Sequence, residues 1–372
     1  MKKYTILLIS LLILLITCSK KSAINIENRF QTAIDIAVDS TKGKGLSAAV
    51  ILPDGEIWQG VSGLSHPGDK IELNDRFSAG SIGKMFTAVT IIQMCEEEKL
   101  SLDDPIFKYL PKYRNIDSTI TIKQLLNHTS GLFDFADNSN YWGFIYENSA
   151  KIWTLDEMLR TFIREPVYSS GKGWNYATTN YVLLRMLIQK ISNKSITEIN
   201  RARFWNNLNM NYTITSMDST MPDQFAHGWL NQDEDEDYED LSSWNRAAFA
   251  SSIGGEVWTT AGDLAIWINK LLDEKSLVSE EYYTKMINFH SPCPGEDFIN
   301  GYGLGICKFN PQIVQGVKAW GHAGNALGYG AIGIYLPEYD ATIAIMDNTE
   351  KAEAIFDGLH NIIDIIKENY SR

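Results

Sequence analysis

Cysteine is the residue this 372-residue chain has least of, and its basic residues are outnumbered by acidic ones. Its four cysteines exclude a disulfide-dense scaffold, and its six histidines stand at no metal-ligand spacing, so no structural zinc site is expected. Lysine and arginine number 33 against 46 acidic residues, a formal net charge of −13, and such a surface repels nucleic acid and anionic lipid. No apolar run reaches the roughly 20 residues that span a bilayer, and no internal repeat points to a solenoid. What is present is 44% hydrophobic and 11% aromatic residues, enough for one large domain or two intimately joined ones.

The chain starts MKKYTILLISLLILLITCSK, a basic pair at Lys2 and Lys3 followed by an apolar run from Ile6 to Ile16. That pattern predicts an export signal over residues 1–17. Its two lysines and lack of acids leave −15 on the remainder. LITC is similar to a bacterial lipobox, which would make Cys18 a lipidated first residue. Residues 18–23 would then tether the protein to a membrane in the periplasm or at the cell surface. Thr17 is unusual at that place, so cleavage without lipidation stays open, as does an uncleaved anchor. Cys95 lies in an apolar segment and reads as a small buried hydrophobe. Cys293 and Cys307 flank one loop and one predicted strand, where an oxidising compartment would permit a disulfide.

Periodicity places an amphipathic helix on NIENRFQTAIDIAVDSTK, with Phe30, Ile34, Ala37 and Val38 on one face. Two strands, Leu46 to Pro53 and Glu56 to Gly63, should meet at the Asp54-Gly55 turn. A long helical stretch follows, beginning with SIGKMFTAVTIIQMCEEEKL, apolar nearly all round until Glu96, and including TLDEMLRTFIRE with a capping box from Thr154 to Glu157. Strands return in GYGLGICKF, IVQGVKAWG, LGYGAIGIYLP and ATIAIMDN, and a helix with Ile355, Leu359, Ile362, Ile363 and Ile366 on one stripe ends the chain. The predicted fold is α+β, an antiparallel sheet flanked by N- and C-terminal helices with an inserted all-helical domain. The unit would span residues 24–372, its α/β part about 24–76 and 254–372, its helical part about 77–253. The acidic segment Asp233 to Asp240 reads as a solvated loop, with a cation site as the alternative.

FSAGSIGKMFTA places Ser81 three residues before Lys84. A serine hydroxyl needs a base within hydrogen-bond reach, and positions i and i+3 of a helix share a face. Lysine serves as a base when burial disfavours its charged form, and Met85, Phe86, Val89 and Ile92 offer apolar surroundings. Alone, the pair reads equally well as an N-cap serine followed by a solvated lysine. Tyr176 alone reads as a core tyrosine, and His322 and His128 as structural hydrogen bonders.

The company of FSAGSIGKMFTA changes the balance. Together with SLDDPIFKYLP, TIKQLLNHTSGL, WNYATTNYVLL, TTAGDLAIW, GYGLGI and WGHAGNALGYG, it resembles the serine β-lactamase and penicillin-binding-protein superfamily. The nearest branch is the class C β-lactamase-like one, with D-alanyl-D-alanine carboxypeptidases and esterases among its members. The resemblance implies a β-lactamase/transpeptidase-like fold and a serine hydrolase without metal or organic cofactor. It makes Ser81 the acylated nucleophile, Lys84 its partner in proton transfer, Tyr176 the tyrosine of the second motif, and His322-Ala323-Gly324 the third. The backbone N–H groups of Ser81 and Asn325 would form the oxyanion hole. Gly324 would let the strand backbone approach a small-molecule or peptide substrate.

Two departures bear on that substrate. The second motif usually reads Tyr-x-Asn, and here Thr178 stands third, offering one hydroxyl where an amide side chain has both donor and acceptor. Histidine at 322 replaces the lysine that supplies a fixed positive charge in many β-lactamases. A D-alanyl peptide, a related amide and a small ester are the expected substrates. β-Lactamase activity and non-catalytic binding of penicillin or cell-wall peptides by a lipid-anchored protein are the alternatives. An α/β-hydrolase is the rival fold, with AGSIG approximating a nucleophile elbow, but the hairpin before Ser81 is antiparallel where that fold needs parallel strands.

Overall fold

Three strands that are buried at every position form the middle of the main sheet: GLSAAVI at Gly45–Ile51 (β1), YGAIGIYL at Tyr329–Leu336 and ATIAIMD at Ala341–Asp347. Such continuous apolar runs mark strands covered on both faces. The computed structural model describes residues 26–147, 151, 153–215, 224–230, 238–241, 257–349 and 353–370. Within them the sheet continues with Ile57–His66 (β2), Asp69–Lys70 (β3), Ile299–Tyr302 (β4), Cys307–Phe309 (β5) and Trp320–Ala326 (β6). Taking the two central strands above as β7 and β8, the order is β3-β2-β1-β8-β7-β6-β5-β4, and each neighbouring pair is antiparallel.

Alternation along β1 sends Leu46, Ala48 and Val50 to one face and Ala49 and Ile51 to the other. The first set packs on helix 26–41 (α1) and the last helix, through Phe30, Ile34, Leu359, Ile362 and Ile366. The second faces Leu264, Ile268 and Leu271 of the helix Ala261–Leu272. The α+β architecture read from the sequence, with terminal helices on the sheet, is the one observed. The turn between β1 and β2 forms at Asp54-Gly55, where Gly55 adopts φ +82° and donates to the Leu52 carbonyl.

The helices between β3 and β4 hold the site. Gly83–Glu96 (α2) is buried at all positions but Gln93 and Glu96, and it packs against Thr178–Ser192 (α3). The capping box from Thr154 to Glu157 is formed in full. Two strand readings are corrected. GYGLGICKF is not one strand but β4 and β5, reversed by a turn in which Gly305 takes φ +82° and Gly303 donates to Ile306. Residues Ile313–Gly316 of IVQGVKAWG turn back on Asn310 and Pro311, so β6 begins only at Trp320. Asp233–Asp237 lie outside the described residues, and Glu239–Asp240 pair with Trp229–Leu230. Residues 1–25, with the expected signal and Cys18, also lie outside. No helix among the described residues is long and apolar enough to cross a membrane.

Candidate active site

Ser81 does not open a regular α-helix: it sits in a single 3-10 turn, Gly80–Ile82, that runs into α2. The tighter turn still leaves i and i+3 on one side, and the Lys84 Nζ lies 2.8 Å from the Ser81 Oγ. Lys84 has no solvent exposure, whereas Ser81 is half-buried at the end of a cavity of about 270 Å³. Met85, Phe86 and Val89 of the same helix are fully buried, and the amine itself lies 5.0 Å from the Tyr176 ring centre and 5.9 Å from that of Tyr181.

The segment before α3 brings Tyr176 to the same place. Its hydroxyl feels the Ser81 side chain, and its ring centre lies 5.0 Å from the Lys84 Nζ. Burial pushes the phenol well above its ordinary value, the Ser81 side chain working against that. Tyr176 therefore rests as a protonated phenol. His128 fixes this segment: its Nδ1 accepts from the Ala177 N–H at 3.1 Å and faces the Asn180 amide at 2.9 Å, and its ring stacks on Tyr176 at 4.4 Å. The structural role read for His128 from the sequence is what the geometry shows. Thr178, expected against the substrate, is 3% exposed and is not among the cavity's lining residues. It occupies the first turn of α3, and its N–H is taken by Asp134 Oδ2 at 2.9 Å.

The third element is β6, laid against the 3-10 turn. A side chain at Gly324 would put its Cβ 2.1 Å from the Ala79 carbonyl oxygen and 2.9 Å from the Ser81 nitrogen. A side chain at Gly80, which takes φ +52°, would meet the Asn325 nitrogen at 2.6 Å. Two glycines thus permit a backbone approach that any Cβ would block, and they bring the Asn325 and Ser81 main chains to one corner of the cavity.

His322 precedes them with both ring nitrogens occupied. Nδ1 faces the Ala323 carbonyl, which only accepts, so the proton sits on Nδ1 and Nε2 accepts from the Tyr302 hydroxyl at 3.1 Å. Burial holds the imidazole down to about pKa 3, with the nearby Lys84 adding to the shift and the Ala323 carbonyl opposing it. His322, the residue that opens the expected third motif and a candidate for a catalytic part, is a neutral wall of the cavity that carries no positive charge at neutral pH. Neither the bond from Tyr302 nor the apolar wall of Phe298, Ile299, Ile355 and Phe356 is foreseen from the sequence. No motif marks those residues, because a cavity wall is assembled from separate strands and the last helix.

The shift on His322 has a thermodynamic consequence. An unfolded histidine takes up its proton near pH 6.5, whereas this one resists until about 3. The unfolded state thus binds more protons between those limits, and the protein loses stability as pH falls from about 6.5 toward 3. His128, also held well below its usual value by burial, acts in the same direction. Urea midpoints at pH 7, 5.5 and 4 are expected to fall more steeply for the native sequence than for His322→Gln. Equal slopes would show that the ring is not buried neutral.

Cys95, Cys293 and Cys307 are all free thiols and buried, so the pair that an oxidising compartment would permit is not formed. Cys293 Sγ instead lies 3.5 Å from the His290 carbonyl. Among the described residues no cluster of histidine, cysteine and carboxylate is placed to hold a metal.

The profile of the Beta-lactamase family matches residues 30–364. The chain belongs to that family. It is 26% identical over 310 residues to penicillin-binding protein 4* of Bacillus subtilis (strain 168), covering 79% of this chain and 66% of the relative. Penicillin-binding protein 4 of Amycolatopsis lactamdurans is 23% identical over 61% of this chain and 59% of its own. The chain thus spans about two thirds or less of these curated relatives. Among solved structures it is similar to a D-stereospecific amidohydrolase from Streptomyces sp., with TM-score 0.76, 26% identity and coverage of 88% of this chain and 97% of that one. The fold is likewise that of the D-amino acid amidase from Ochrobactrum anthropi SV3, with TM-score 0.82, 22% identity and coverage of 93% and 100%. These relatives are penicillin-binding proteins and amidohydrolases of the β-lactamase fold.

Proposed function

We propose that this protein is a serine hydrolase that forms an acyl-enzyme on Ser81 and acts on amides or esters with a compact apolar acyl group and an uncharged leaving group. The observation that carries the reading is the enclosed Lys84 amine 2.8 Å from a serine oxygen that opens onto an apolar cavity. In its amine form Lys84 accepts the Ser81 proton as Oγ bonds to the carbonyl carbon, while the oxygen gathers negative charge beside the Ser81 and Asn325 main chains. The Tyr176 hydroxyl, beside Lys84, gives a proton to the departing amine or alcohol as the bond to it breaks, and draws one back from Lys84. Water then attacks the acyl carbon by the reverse route, releasing the acid and restoring the serine.

The preference for an uncharged leaving group rests on His322. A peptide cut at its last residue presents a carboxylate, and the side chain at this position offers it a neutral ring with both nitrogens engaged. The names of the relatives, D-stereospecific amidohydrolase and D-amino acid amidase, agree with an amide substrate. Initial rates should favour D-phenylalanine amide, or the p-nitrophenyl ester of a small acyl group, over a peptide ending in D-alanyl-D-alanine by at least about tenfold in kcat/KM, roughly one ionic contact. A peptide hydrolysed faster than both would overturn the choice of leaving group.

A further inference from the structure

The cavity that Ser81 opens onto carries one carboxylate, Glu296, and no other side chain on its wall is ionised at neutral pH. Burial pushes Tyr176 and Cys307 well above their ordinary values and His322 down to about 3, so each of these is neutral. The rest of the wall is alanine, glycine, isoleucine, phenylalanine, Ser81 and Asn325. Glu296 is half-buried, and among the described residues its side chain makes no hydrogen bond or ion pair. Its main chain is held beside the cavity, the N–H tied to the Cys293 carbonyl in a turn where Gly295 takes φ +85°.

A carboxylate held against apolar surface with no counter-charge is costly, and the cost falls when a cation arrives. Other groups register it: the carboxylate adds to the burial that raises the Cys293 and Cys307 thiols, and its own value is raised first by burial and next by Asp297. Asp297 repels it and can neutralise nothing. The last helix contributes Ile355 and Phe356 to the wall, and the strands contribute Ile299, Ala331 and Ile332, none of them cationic.

We infer that Glu296 is a specificity residue that receives a primary ammonium on the acyl part of the substrate, so that the preferred acyl group is apolar and amine-bearing. This rests on the reading of the Ser81 cavity as the place where the acyl group sits. The ammonium would supply three donors to a carboxylate otherwise without a partner, while the hydrocarbon fills the space beside Phe298, Ile355 and Phe356.

The test measures binding, so that it stands apart from turnover. By calorimetry at pH 7 in low salt, D-phenylalanine amide should bind at least tenfold more tightly than 3-phenylpropanamide, which lacks only the amine. In Glu296→Gln that preference should fall below threefold, with the melting temperature within a degree or two of the parent. In Glu296→Lys the amine-bearing amide should become the weaker ligand of the two. Equal affinity of the two amides for the parent protein, or a preference that survives in Glu296→Gln, would overturn the assignment. So would failure of D-phenylalanine amide to bind. A preference that depends on Glu296 in a protein that turns over neither amide would leave this assignment standing and remove the hydrolase reading.

Discussion

Ser81→Ala is expected to lower kcat/KM toward the best amide or ester by at least 10³-fold, about 4 kcal/mol of lost transition-state stabilisation. The substitution removes one oxygen from a half-buried turn and adds nothing that the turn must accommodate. Its effect on folding should accordingly be small, although the Lys84 amine loses its 2.8 Å partner. The decisive readout is intact mass. Incubation with benzylpenicillin or with an activated ester should add one acyl group to the parent protein and none to Ser81→Ala. An adduct that persists in the variant would place the nucleophile elsewhere. Absence of any adduct on the parent, with β-lactam and esters all left unchanged, would replace hydrolysis by the binding-only alternative.

How far this was legible in the sequence depends on the range of the interaction concerned. The Asp54-Gly55 turn, the Thr154 capping box and the all-round apolar α2 are decided by residues a few places apart, and each forms where its pattern stands. The Lys84–Ser81 contact is of the same kind, three residues along one turn. The 3-10 geometry at Gly80–Ile82 was not legible, because it follows from the packing of β6 across the turn, some 240 residues downstream. GYGLGICKF departs from a single strand for a local reason, since Gly303 and Gly305 reverse the chain within it. The resemblance of seven motifs named the family correctly, yet it carried roles onto residues whose surroundings it could not supply. His322 stands where the motif often has a charged lysine, and in place it is neutral because it is buried, with Tyr302 and the Ala323 carbonyl at its two nitrogens. Thr178 matches a substrate contact, and in place it is covered by the packing of α3. Glu296 matches nothing, and only the closure of the sheet against the last helix puts it on the cavity wall.

Lys84→Met should cost at least 10³-fold in the rate of acylation while the melting temperature holds or rises. Methionine is an unbranched apolar chain close to lysine in length and has no amine, the group that here lies without solvent exposure 5.0 Å from the Tyr176 ring centre and 5.9 Å from that of Tyr181. Removing a polar group from such a place stabilises or leaves unchanged a well-packed helix, so a loss of activity cannot be put down to unfolding. The variant also decides between two proton acceptors. If Tyr176 took the proton from Ser81 as a phenolate, Lys84 would act only by lowering the phenol's pKa, and activity in Lys84→Met would return as pH rises toward 10. Burial has already carried the phenol well above 10, so no such recovery is expected over pH 6 to 10. Single-turnover acylation of Lys84→Met followed across that range distinguishes the two. A flat, low rate assigns the base to Lys84, whereas a rate climbing to near the parent value by pH 10 would transfer that role to Tyr176.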